Sequence, residues 1–119
     1  MVASGVSAQD LPEPAQCYFA AVAASDLHAL TQCFQADAVI IDVSRKISGI
    51  EAIRSWAENE VMGGRYEVLA IVSQTQNQIK LLIKFVPPGL WGKLSKGFEA
   101  HYTFDFKQGK IISMDLQYA

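Results

Sequence analysis

Two polar side chains sit where chemistry in an apolar space is feasible. Asp42 closes the run AVIID, and Tyr18 lies inside CYFAAVAASD. If the run before Asp42 is a strand, alternation turns Asp42 to the same side as Ile40 and away from Ile41. The carboxylate then faces inward, or it caps the turn at Ser44. Tyr18 shares a stripe with Leu11, Ala15 and Val22 at spacings of four, three and four, so its ring faces the core whether it acts on a ligand or only packs there with one satisfied hydroxyl. His28 and His101 stand alone, and His101 alternates onto the strand face opposite Tyr102. Cys17 and Cys33 have no metal-site spacing and read as reduced, part-buried thiols. The chain carries no Gly-rich phosphate loop, no Cys/His constellation and no Gly-x-Ser-x-Gly elbow. The chemistry expected is therefore free of metal and cofactor.

The elements that must hold these residues follow from the periodicity. A helix is expected from Leu11, with Pro12 and Pro14 in its first turn and Asp10 as its cap. Ser25-Asp26 ends it and starts a second helix whose stripe is Leu27, Leu30, Cys33 and Phe34. Residues 38–43 read as a short strand followed by a polar turn. Ser48-Gly49 opens a third helix with Ile50, Ile53, Trp56 and Ala57 inward and Gly63-Gly64 as its stop. Arg54 and Glu58, four apart on it, read as an exposed ion pair.

After Gly64 the period becomes two. Tyr66, Val68, Ala70 and Val72 alternate against their neighbours; Ile79, Leu81, Ile83 and Phe85 do so in the next strand. Phe98, Ala100, Tyr102, Phe104 and Phe106 share one face of a third. Gln108-Gly109 turns the chain into a last strand, with Asp115 on its Ile111–Ser113–Gln117 side. Helices first and antiparallel strands second give an α+β domain, helices on one face of the sheet. A curved sheet so covered leaves a cavity for a small molecule. The other face, with Leu69, Ile71, Leu82, Ile112 and Met114, suits a homodimer packed sheet to sheet.

Composition sets the bounds. The chain has 119 residues, 50% hydrophobic and 18% charged, with a formal charge of -2. This suits one domain over 1–119, with 1–9 a loose tail. The charge excludes a protein held to nucleic acid by a basic patch. The five acids of residues 1–44, with no Lys or Arg among them, read as a solvated helical face. No apolar run approaches a membrane span, and no base precedes Arg45 to mark a secretory or transit peptide, so a soluble cytoplasmic protein is expected.

The segments CYFAAVAASDLHALTQCFQADAVIID, GIEAIRSW and HYTFDFKQGKIISMD, in that order, resemble the NTF2-like superfamily, in particular its SnoaL-like and ketosteroid-isomerase-like members. The resemblance spans nearly the whole chain. It implies a cone: three N-terminal helices packed on a curved, mostly antiparallel sheet that encloses a pocket. It also implies roles. Tyr18 matches the tyrosine that donates to an enolate, and Asp42 matches the aspartate that shuttles a proton beside a carbonyl. Such a pairing makes sense, because partial desolvation strengthens a carboxylate base while a phenol stabilises the oxyanion. Two positions depart from the isomerases. Ala100 stands where they carry a protonated aspartate, and Ala57 where a tyrosine orients the first one. The implied activity is proton transfer on a small apolar ligand: isomerisation, dehydration or cyclisation. The alternative is a non-catalytic ligand-binding or dimerisation module. Trp56, Phe98, Ala100, Tyr102 and Phe104 are expected to line the pocket, Trp91 to cover its mouth from the WGKLSKG loop, and Asp115 to line it or lie outside.

Overall fold

The computed structural model describes residues 6–89 and 96–119. Helix α1 (Glu13–Ala23) has Pro14 in its first turn, where a missing N–H costs no hydrogen bond, and buries Ala15, Tyr18, Ala21 and Val22. Asp10 does not cap it. Its carboxylate accepts from the Ser7 N–H at 3.1 Å and closes a 3-10 turn over Ala8–Asp10. The Val6 N–H donates to the Val68 carbonyl at 2.9 Å, so the segment expected to be loose is tied down from Val6 onward.

Helix α2 (Leu27–Gln32) is capped by Asp26, whose side chain accepts from the Ala29 N–H at 3.0 Å. It is shorter than its apolar stripe implies, because Cys33 is already its C-cap and Phe34 starts a strand. Cys33 and Cys17 are joined in a disulfide that ties α2 to α1, which corrects the expectation of reduced thiols. Packing of the two helices brings the Cα atoms to 5.8 Å, within bonding range.

Strand β1 (Phe34–Asp42) begins four residues before the expected start, since a register shift between Phe34 and Val39 interrupts its alternation. Strand β2 (Arg45–Ser48) occupies what reads as a polar turn; only its Ile47 is buried. The two form a hairpin through Val43 and Ser44, both at positive φ (48° and 77°). Helix α3 (Ile50–Glu60) buries Ile53, Trp56 and Ala57. Arg54 and Glu58 do not pair; among the described residues the ion pairs belong to Arg45.

Strands β3 (Arg65–Gln74), β4 (Gln78–Val86), β5 (Phe98–Lys107) and β6 (Lys110–Tyr118) complete a six-stranded sheet of order β2-β1-β6-β5-β4-β3. All neighbours are antiparallel except β1 and β6, which run parallel. Three helices thus pack on one face of a curved mixed sheet. Irregularities in β3 and β6 change which residues face inward. In β3, Val68 opposes Ile83 but Ile71 opposes Leu81, so Ile71 packs on the core and Val72, expected beside Tyr66, is 50% exposed. In β6, Ile111 opposes Phe106 and Ser113 opposes Asp105, which puts Met114 and Leu116 in the core and turns Asp115 outward. Met114 and Ile71 are therefore lost from the apolar back face.

The inner rows run across the strands. Ile40, Met114, Phe104 and Ile79 form one; Asp42, Leu116, Tyr102 and Leu81 form the next. The first row is fully buried under the helices and fills the closed end of the cone. Beyond the second row the layers part. Gly64 lets β3 reach the opening, because a Cβ there would lie 2.8 Å from both the Phe85 ring and the Val86 carbonyl.

Candidate functional site

The parted end of the cone holds a cavity of about 600 Å³, walled by the ends of β1, β4 and β6, the starts of β2, β3 and β5, and the last turn of α3. Its volume suits a small molecule. Most of the wall is apolar: Val61, Phe85, Pro87, Pro88, Phe98, Ala100 and Leu116. Polar atoms converge from two sides, Asp42, Arg45, Glu60 and Trp56 on one and Tyr66 and Tyr102 on the other.

Asp42 ends β1 opposite Leu116, so its side chain faces the interior, and it is held there by two donors. The Trp56 Nε1–H donates to its Oδ2 at 3.1 Å, and Arg45 donates to the same oxygen at 2.6 Å. Among the described residues no hydrogen bond reaches Oδ1, which leaves that oxygen open towards the cavity. Arg45 also grips both oxygens of Glu60, at 2.6 and 2.9 Å. Its guanidinium is held still more firmly protonated than usual, first by Glu60 and then by Asp42. Because the Arg45 side chain is 53% exposed, the pairs contribute position more than stability. The rim carries two carboxylates and one cation.

Facing this cluster is a chain of phenols. The hydroxyls of Tyr18 and Tyr66 are 2.8 Å apart, and those of Tyr66 and Tyr102 are 3.2 Å apart. Each comes from a different element, α1, β3 and β5, so the helix–sheet packing itself assembles the chain. The rings of Phe19, Phe85 and Phe104 stack edge-on or tilted around it. Burial raises Tyr18 and Tyr66 well above the ordinary phenol range. Tyr102 is raised by burial, with the hydrogen bond it shares with Tyr66 opposing the rise and the Asp42 charge adding to it. All three stay neutral, as hydrogen-bond donors, across the physiological range.

The site residues read from the sequence separate as follows. Asp42, Trp56, Phe98, Ala100 and Tyr102 lie on the cavity wall. Tyr18 does not; it is wholly buried and meets the cavity only through Tyr66. Phe104 sits one row deeper, in the core under Tyr18 with ring centroids 5.9 Å apart. Asp115 is on the outer face, where it accepts from Gln117 at 2.9 Å. Trp91 lies outside the described residues. The sequence reading missed Arg45, Glu60 and Tyr66. Tyr66 had a signal, its inward phase in β3. Arg45 had none until the hairpin at Val43-Ser44 is known, and Glu60 is signalled only by its spacing of four from Trp56 on α3. No group of three or more His, Cys, Asp or Glu among the described residues has metal-site geometry.

No protein-family model matches the sequence, and no curated protein does either. Its likenesses are to solved structures. A candidate polyketide cyclase from Sinorhizobium meliloti superposes with a TM-score of 0.78 at 23% identity, over 94% of this chain and 100% of that one. An NTF2-like protein from Cytophaga hutchinsonii gives 0.75 at 13% identity, over 99% and 95%. The Δ5-3-ketosteroid isomerase of a Mycobacterium species gives 0.71 at 15%, over 89% and 90%. The fold is thus the NTF2-like α+β cone. At these identities the likeness establishes architecture alone, and the site must argue the function.

Proposed function

We propose that the cavity binds a small, largely apolar carbonyl compound and moves a proton at the carbon beside the carbonyl, with Asp42 as the base. The observation that carries this reading is the Asp42 carboxylate, one oxygen anchored and one unpartnered where Arg45 takes both oxygens of Glu60, on the wall of an apolar cavity opposite a chain of neutral phenols. Asp42 Oδ1 takes the proton from the carbon. The C–H electron pair becomes the enolate double bond, and the carbonyl π pair moves to oxygen, where the phenol chain that starts at Tyr18 stabilises it. In a β,γ-unsaturated ketone, returning the proton to the γ carbon moves the double bond into conjugation. Dehydration and cyclisation begin with the same abstraction. No metal or cofactor takes part in this scheme.

The ketosteroid isomerase and cyclase among the structural neighbours are consistent with such chemistry. A β,γ-unsaturated cyclic ketone, followed by the ultraviolet absorbance of its conjugated product, tests the reading. Turnover that falls about 10²–10⁴-fold in Asp42→Asn supports it; equal turnover in both proteins refutes it.

A second reading is a binding module without chemistry. Arg45 on the Asp42 carboxylate, and Ala100 with no donor to offer, favour it. A ketone that binds wild type and Asp42→Asn alike, with no turnover in either, identifies this case. Homodimerisation through the outer sheet face is part of the proposal. It rests on Val39, Ile41, Ala70 and Leu82, which the register turns outward. A monomeric mass by light scattering at high concentration would overturn it.

A further inference from the structure

The three phenols contain three O–H groups and make two hydrogen bonds to one another, so one O–H is left over. Tyr18 cannot be its owner. It is 0% exposed, its hydroxyl meets only that of Tyr66, and a buried donor left unpaired is costly. Tyr18 therefore donates to Tyr66. The middle hydroxyl of Tyr66 has a neighbour on each side, at 2.8 and 3.2 Å, and its ring is held by Phe85 with centroids 4.6 Å apart. Tyr102 ends the chain: it has one phenolic neighbour, lies on the cavity wall, and shares a row of the sheet with Asp42. The negative charge of Asp42 on that side favours a chain polarised towards it.

We infer that Tyr102 is the phenol that donates to the ligand oxygen, at the open end of a relay Tyr18→Tyr66→Tyr102 in which Tyr18 is a positioning residue. This rests on the cavity reading above and moves the donor role from the helix tyrosine, where the resemblance implies it, to the sheet. Each donated bond polarises the next O–H, so the end of the relay is a better donor than a lone phenol. It also compensates for Ala100, which contributes no hydrogen bond. The ligand oxygen then sits towards β5, and its acidic carbon lies between that strand and β1, within reach of Asp42.

A naphthol tests the inference, because its ring suits the cavity, its ionised oxygen mimics an enolate, and ionisation changes its absorbance. 2-Naphthol is titrated into wild type, Tyr102→Phe and Tyr18→Phe, and the fraction of bound probe present as naphtholate is read at fixed pH. Tyr102→Phe leaves the Tyr18 hydroxyl paired to Tyr66 and frees only the Tyr66 O–H, which borders the cavity, and circular dichroism checks its fold. The expected result is a loss of about tenfold or more in naphtholate affinity in Tyr102→Phe, the scale of one bond to a charged oxygen. Tyr18→Phe should lose severalfold less. The inference is overturned if Tyr102→Phe keeps the wild-type naphtholate fraction, or if Tyr18→Phe loses as much or more. Failure of wild type to bind the probe in either form would sink the cavity reading itself, and the donor assignment with it.

Discussion

Asp42 and Tyr102 stand in one row of the sheet with Leu116 between them, so a carboxylate and a phenol face the same cavity from backbones about 10 Å apart, two strand spacings. The relationship depends on β1 running parallel to β6, which brings the end of β1 level with the end of β6 and the start of β5. It also depends on the irregularity in β6. Without it Leu116 would face outward and the row would be broken.

The phenol relay makes different stability demands on its members. Tyr66→Phe strands the wholly buried Tyr18 hydroxyl and should cost about 1–3 kcal/mol, whereas Tyr102→Phe frees only the Tyr66 O–H, which borders the cavity and can turn to water, and should cost less. Urea denaturation of the two variants checks the order. Equal losses would mean that Tyr18 finds another partner.

Alkaline pH should unfold the protein steeply. Tyr18, Tyr66 and Tyr102 are all raised above the ordinary 10.0 in the folded chain, so the folded state holds these protons more tightly than the unfolded state does. Their contribution is complete below about pH 10 and is lost as pH rises through the folded values. The limiting slope is about 1.4 kcal/mol per pH unit for each phenol, or about 4 for three. Urea midpoints measured on either side of pH 10 read this directly, and a flat profile would contradict it.

The Cys17–Cys33 disulfide closes a loop with a sequence separation of 16 and ties α1, the helix of Tyr18, to the start of β1, the strand of Asp42. The double variant Cys17→Ser, Cys33→Ser should lose about 3 kcal/mol, the loop-entropy value for that length. Thermal melts with and without reductant should show the same shift in wild type and none in the variant.

Val43 is a β-branched residue at φ 48°, a region such residues rarely occupy, in the two-residue turn that fixes Asp42 against Arg45. Val43→Asn should stabilise by about 1 kcal/mol, since asparagine tolerates this conformation. Loss of stability on that substitution would mean that the Val43 side chain is held by contacts worth more than the strain.

Most of the fold is legible in the sequence because its signals are local. The stripe of α1, the Asp26 cap, the Gly49 start of α3 and the alternation of β4 and β5 each need only a few residues. What was not legible depends on partners distant in sequence. The irregularities that turn Ile71 and Met114 inward are set by pairing with β4 and β5. Arg45 reads as a turn residue until β2 folds back on β1 and brings it to Asp42 and Glu60. Tyr18 shows the same division: its inward face is plain from the stripe, but only the positions of Tyr66 and Tyr102 decide that it stops one hydroxyl short of the cavity.

Solvent deuterium exchange at the carbon beside a carbonyl tests the central claim most directly, because it reports the abstraction step whichever product follows. A small cyclic ketone in D₂O, followed by proton NMR, should lose its α-proton signal faster with wild type than with buffer. With Asp42→Asn the enzymatic excess should fall by about 10²–10⁴-fold. The same exchange rate with wild type and Asp42→Asn would contradict the account, for Asp42 would then not be the base.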